Sequence, residues 1–149
     1  MMYCRSTVPV TLALALAVAL LWSTLAPSTA RAADPVTVDG QPGLLYNFGS
    51  FERRGVTLNE GGQLLVRIDG CWFAEMTGVS GNTFDNTIAV TIRVTTPRGH
   101  LLTTLPLLPP FDLPAGDTFV VDAEGCDPAL AAAFPSLDLH GVSRVFSVR

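Results

Sequence analysis

Lysine is absent from the 149 residues, and the remaining charge is sparse and one-sided: nine arginines face 13 carboxylates, for a formal net charge of −4. A chain without clustered Lys and Arg has no electrostatic footprint for a phosphate backbone, so nucleic acid and anionic membrane surfaces are poor partners. Histidine is nearly absent too. His100 and His140 are distant from each other, whereas zinc needs His and Cys ligands gathered together, so neither a metal nor a cofactor is expected. There is no internal repeat and no low-complexity tract, and the only long apolar run stands at the amino terminus.

That run accounts for much of the positive mean hydropathy of +0.40. Residues 8–22 are rich in Ala, Leu and Val behind Arg5, but about 15 residues fall short of the roughly 20 that a spanning helix needs. Ser23, Thr24 and Pro27 interrupt it, and Ala30-Arg31-Ala32 supplies a small-x-small cleavage site. Residues 1–32 are therefore predicted to be a cleavable signal peptide and 33–149 a single secreted domain with no stable membrane anchor after cleavage. An uncleaved signal anchor is the weaker alternative. Cys4 precedes the apolar run, the wrong side for a lipoprotein. Cleavage removes Arg5 and Arg31 and leaves 13 acids against seven arginines, a balance of −6. The lack of lysine beside abundant Ala, Arg, Gly and Pro points to a GC-rich bacterial genome, and the destination is the periplasm, the cell envelope or the exterior.

Cleavage also removes Cys4 and leaves Cys71 and Cys126. Two cysteines in an oxidising compartment are most simply one disulfide. Closing a loop of that length is worth about 4 kcal/mol in the chain-entropy model. The sequence Gly70-Cys71-Trp72 resembles the tripeptide around the nucleophile of papain-like proteases, but there the cysteine opens a helix, whereas Cys71 sits in a strand pattern with a bridging partner.

Glycine and proline punctuate the remainder into short apolar runs. The clearest strand is 87–95, where Ile88, Val90, Ile92 and Val94 alternate with polar residues; a turn at 97–99 then leads back into 101–105. A second hairpin is predicted from 55–58 through a turn at 59–62 into a return strand over 63–73. In it Leu64, Val66, Ile68 and Trp72 share one face, and Leu65, Arg67, Asp69, Cys71 and Phe73 share the other. Cys71 is thus out of phase with the main apolar face, so either Leu65 and Cys71 face a second sheet or a bulge near Asp69-Gly70 resets the register. Weaker strands are expected at 36–38, 44–48, 118–122, 136–140 and 144–148. Asp127 and Pro128 open a short helix that Pro135 closes. The predicted fold is all-β: an antiparallel β-sandwich, immunoglobulin-like or jelly-roll-like, of about eight short strands with one disulfide and one short helix near 127–134. The cysteine–tryptophan–cysteine set resembles immunoglobulin domains only in overall separation. Trp72 adjoins Cys71 instead of following a dozen residues on, and Glu124 stands where those domains place a tyrosine, so no family is assigned.

Three groups of residues are candidates for a surface with a function. Leu107, Leu108 and Phe111 lie in a segment, 105–114, that carries four prolines, and they form either a packed crossover or an exposed partner surface. Trp72, Phe73 and Phe84 are candidate ligand aromatics, with Trp72 favoured for the core. Oxygen-rich loops at Asn82, Asp85 and Asn86 and at Asp122, Glu124 and Asp127 are read as turn formers, in preference to calcium ligands. A hydrolase would need a constellation such as Ser80 or Ser143 with His140 and Asp138, and no catalytic motif marks one. The expected function is a secreted, non-enzymatic binding or structural module whose partner is a protein or polysaccharide of the envelope or exterior. A carbohydrate-binding sandwich, or a small hydrolase assembled from distant residues, is the alternative.

Overall fold

Most of the short apolar runs are strands in the computed structural model, which describes Ser28–Thr29 and residues 33–149. The predicted signal peptide and its cleavage site otherwise lie outside the described residues. In chain order the strands are β1 (Ser28–Thr29), β2 (Asp34–Val38), β3 (Gln41–Phe48), β4 (Phe51–Arg53), β5 (Val56–Leu58), β6 (Gly62–Arg67), β7 (Cys71–Ser80), β8 (Asn86–Thr95), β9 (Leu101–Leu113) and β10 (Thr118–Cys126). A helix α1 (Pro128–Ala133), a 3₁₀ turn (Phe134–Leu139) and a last strand β11 (Gly141–Val148) follow.

All pairings are antiparallel and fall into two sheets. The smaller has the order β1-β11-β8-β9; the larger runs β2-β3-β6-β7-β5-β4, with β10 along the opposite side of β7. Alternation decides which side chains meet between them. From the smaller sheet Ile88, Val90, Ile92, Leu105, Phe146 and Val148 point inward; from the larger, Phe48, Leu58, Leu64, Val66, Trp72, Met76, Phe119 and Val121 do. Burying side chains of this size stabilises by roughly 1.5–3 kcal/mol each against exposure. Phe119 and Phe146 meet across the gap with ring centroids 6.5 Å apart, within the favourable range for aromatic pairs. The fold is the predicted β-sandwich.

One end of the sandwich is closed by helical turns. Asp127 caps α1, its carboxylate accepting from the Ala129 N–H at 2.8 Å. The predicted strand at 136–140 is instead the 3₁₀ turn, in which Pro135 fixes φ at the start, Leu137 is buried and Leu139 is exposed. Tyr46 donates to the Leu137 carbonyl at 2.9 Å and ties this lid to β3. At the other end Ser80 and Asn86 are buried, and the Asn86 amide donates to the Phe84 carbonyl at 3.0 Å.

Two local expectations change. The run 63–73 is two strands: Arg67 and Gly70 close a four-residue turn through an N–H to carbonyl bond of 2.9 Å, with Gly70 at φ +81°, where a Cβ would be strained. β5 and β6 are not a hairpin with each other. Both lie end to end along one side of β7, β6 opposite residues 72–75 and β5 opposite residues 78–80, because a ten-residue strand is long enough to seat two short ones. The proline-rich 105–114 segment continues β9 as an edge strand. Its ladder with β8 shifts register near Val90, which accommodates prolines that cannot donate.

Arg144 points from β11 into the sandwich and is 1% exposed. Its guanidinium lies 4.8 Å above the Phe48 ring and donates to the Gly49 carbonyl. Burial pushes its pKa down to about 10.

Candidate functional site

In β7 the inward residues are Trp72, Ala74 and Met76, so Cys71, Phe73 and Glu75 must face outward. The pairing then sets their neighbours. Leu65 on β6 and Glu124 on β10 flank Phe73, and Cys126 lies directly opposite Cys71. The disulfide therefore links adjacent strands of one sheet on its outer side. Val38 from β2 and Arg67 at the end of β6 complete the walls of a concavity of about 540 Å³.

The outer face of a sheet in a two-layer sandwich is ordinarily polar. Here Leu65, Val38, the disulfide and Phe73, which is 39% exposed, form an apolar floor open to solvent. Exposed Ile68 sits in the adjoining turn. Charge is arranged around that floor on two sides. On one, Arg67 is ion-paired with Asp69 and donates toward Gln41 Oε1 at 3.5 Å. Arg67 and the Cys71 N–H together hold the Asp69 carboxyl below the usual carboxylate range. Arg67 Nε, shielded from water, has no hydrogen-bond partner among the described residues. On the other side Glu75, Asp122 and Glu124 form an acidic row, with Asp122 directly opposite Glu75. Like charges in directly opposed positions destabilise a sheet.

The three candidate aromatics are brought together only in part. Trp72 is 7% exposed and belongs to the core, with Gly125 beneath its ring; a Cβ on that glycine would lie 2.9 Å from Trp72 Cζ2. Phe84 is exposed in the loop beyond the far end of β7, so Trp72 and Phe73 line the concavity and only Phe73 is exposed there. Leu107 is buried and Leu108 packs partly on the core, while Phe111 is exposed on β9. That trio is split between core and surface.

Several of the residues weighed for chemistry are held by structural bonds. Ser80 and His140 lie at opposite ends of the sandwich, the first where β8 begins and the second beside the strand that pairs with its end. His140 Nδ1 lies 2.9 Å from the Ser136 carbonyl. Asn82 donates to the Arg54 carbonyl at 2.7 Å, Asp85 accepts from the Ala115 N–H at 3.0 Å, and Asp127 caps α1. Among the described residues no group of three His, Cys, Asp or Glu side chains is placed to hold a metal ion, and no helix is long and apolar enough to cross a membrane.

No protein-family model, curated protein or solved structure matches this chain.

The sequence contained one trace of the concavity. Leu65, Arg67, Cys71 and Phe73 have the same parity, which puts them on one face of an extended run. Val38 and Glu124 carried no such mark, since only the sheet order brings β2 and β10 beside them.

Proposed function

We propose that the protein is an exported, non-enzymatic binding module whose ligand surface is the outer face of the larger sheet around Phe73. The observation that carries this reading is the apolar concavity of Leu65, Val38, Phe73 and the disulfide on the solvent side of the sheet. Apolar area left in water is costly, and contiguous patches of it mark interaction sites. Export through the signal peptide fits the disulfide, since such bridges persist chiefly in oxidising compartments. The partner is a protein or polysaccharide of the envelope or exterior, since an acidic chain without lysine repels phosphate backbones.

A carbohydrate is the second reading. The exposed Phe73 ring offers a stacking face, and the exposed Glu124 carboxylate in the wall offers an acceptor for a hydroxyl.

Arrays of glycans and of extended peptides, probed with the full chain and with Phe73→Ala and Phe111→Ala variants, test the assignment. Phe73→Ala should weaken any specific hit by about tenfold or more, as loss of one aromatic anchor does, while Phe111→Ala leaves it in place. Hits that survive Phe73→Ala unchanged place the binding surface elsewhere.

A further inference from the structure

The edges of the two sheets are closed in different ways. β9 carries Pro106, Pro109 and Pro110, which block its ladder. β4 has only three residues, and its Arg53 and the adjoining Arg54 donate to the Phe146 and Val148 carbonyls of β11 at 2.9 and 3.1 Å. β10 has neither device. It is nine residues long, has no proline, and among the described residues pairs with β7 alone.

The ladder shows which backbone groups β10 leaves open. The Ser80 N–H donates to the Asp117 carbonyl at 2.8 Å, and the Asp127 N–H donates to the Gly70 carbonyl at 3.0 Å. Hydrogen-bonded positions alternate along an antiparallel pair. Odd-numbered residues of β10 therefore turn their backbone groups to β7, and Thr118, Val120, Asp122 and Glu124 turn theirs to the open side. The same four side chains face outward, Val120 being 64% exposed.

We propose that this edge accepts an extended, arginine- or lysine-bearing polypeptide segment as an added strand. The inference rests on the reading of the Phe73 face as a binding surface, and it names the ligand class. Main-chain bonds to Val120, Asp122 and Glu124 supply the pairing, as in strand addition generally. Basic side chains directly opposite Asp122 and Glu124 relieve the repulsion within the acidic row that includes Glu75. Two registers of pairing with a second copy of this chain are disfavoured: antiparallel self-pairing centred on Asp122 or Glu124 would set carboxylates directly against each other, a device by which natural edges resist self-association. The acidic balance of the whole chain adds long-range attraction for a basic partner.

The test uses a peptide matched to β10 in length, alternating arginine and valine, and a control with prolines at alternate positions. Binding to the full chain is followed by calorimetry and by amide exchange. The expected result is saturable binding that protects the Val120, Asp122 and Glu124 amides, is lost with the proline peptide, weakens about tenfold or more in Asp122→Lys/Glu124→Lys, and falls with added salt. Equal binding by the proline peptide, or no protection at those amides, overturns the inference. Self-association of the chain through the same amides overturns it as well. If a glycan binds over Phe73 while the arginine peptide does not, the strand-addition inference fails and the binding-surface reading stands.

Discussion

Cys71 and Cys126 are directly opposed residues of neighbouring strands, so the disulfide fastens β10 to β7 within one sheet and does not join the two layers. Its contribution comes from closing a loop with a sequence separation of 55, which shortens the unfolded chain's list of conformations. The sandwich core lies on the other side of the sheet from the bridge.

The Cys71→Ser/Cys126→Ser variant is therefore expected to keep the fold while losing about 2–4 kcal/mol of stability. Urea unfolding should show a lower midpoint with native-like far-ultraviolet circular dichroism before the transition. A variant with no native signal at all would mean that the bridge is needed to assemble the sheet.

Trp72 and Phe73 are consecutive and face opposite ways, which separates stability from binding. Trp72→Ala should cost about 3–5 kcal/mol as a core truncation. Phe73→Ala should cost under about 1 kcal/mol, as for an exposed position away from the core, while reducing ligand binding. Comparable losses of stability in the two variants would contradict the assigned faces.

Gly125 lies beneath the Trp72 ring, and a Cβ there is 2.9 Å from Cζ2. Gly125→Ala should destabilise by about 1–3 kcal/mol through overpacking. Combining it with Trp72→Phe, which withdraws the larger ring, should cost less than the sum of the single changes. A double-mutant cycle on unfolding free energies measures that coupling.

Tyr46 has its phenol buried and bonded to the Leu137 carbonyl, and burial, with Asp138 as a further cause, raises its pKa to about 12. The unfolded chain ionises tyrosine near pH 10. Between about pH 10 and 12 the folded state thus holds a proton that the unfolded state has released. The stability this group contributes is complete below pH 10 and is lost as the pH rises through 12. With Tyr3→Phe to leave Tyr46 as the only tyrosine, phenolate absorbance should titrate near pH 12 in the folded protein and near 10 in denaturant. A folded midpoint near 10 would show an exposed phenol.

Much of the fold was legible because alternation is a direct consequence of strand geometry. Ile88 to Val94 announced β8 with its inward face, and the cysteine count announced the bridge. The turn at Gly70 was hidden by the same regularity. Val66 and Trp72 are opposed residues that share a face, and they are an even number of positions apart, so the alternation passes through the chain reversal without a break. The strand expected at 136–140 failed because Leu137 and Leu139 alternate as strand residues do, while Pro135 sets a helical turn. For the candidate site, Leu65, Arg67 and Phe73 were visible as one face. The acidic row was not, because Glu75 and Asp122 meet only through the β7–β10 pairing. The split of Leu107 from Phe111 was not legible either: both are odd-numbered residues of β9, and Phe111 lies opposite buried Ile88 yet is itself 46% exposed.

Backbone shift mapping by nuclear magnetic resonance locates the proposed partner surface on the outer face of the larger sheet at Phe73. On titration with a hit from the glycan and peptide arrays, perturbed amides should cluster at 63–67, 71–75 and 120–126. Perturbations confined to β9 around Phe111 or to the loop carrying Phe84, with the Phe73 face unchanged, would contradict it.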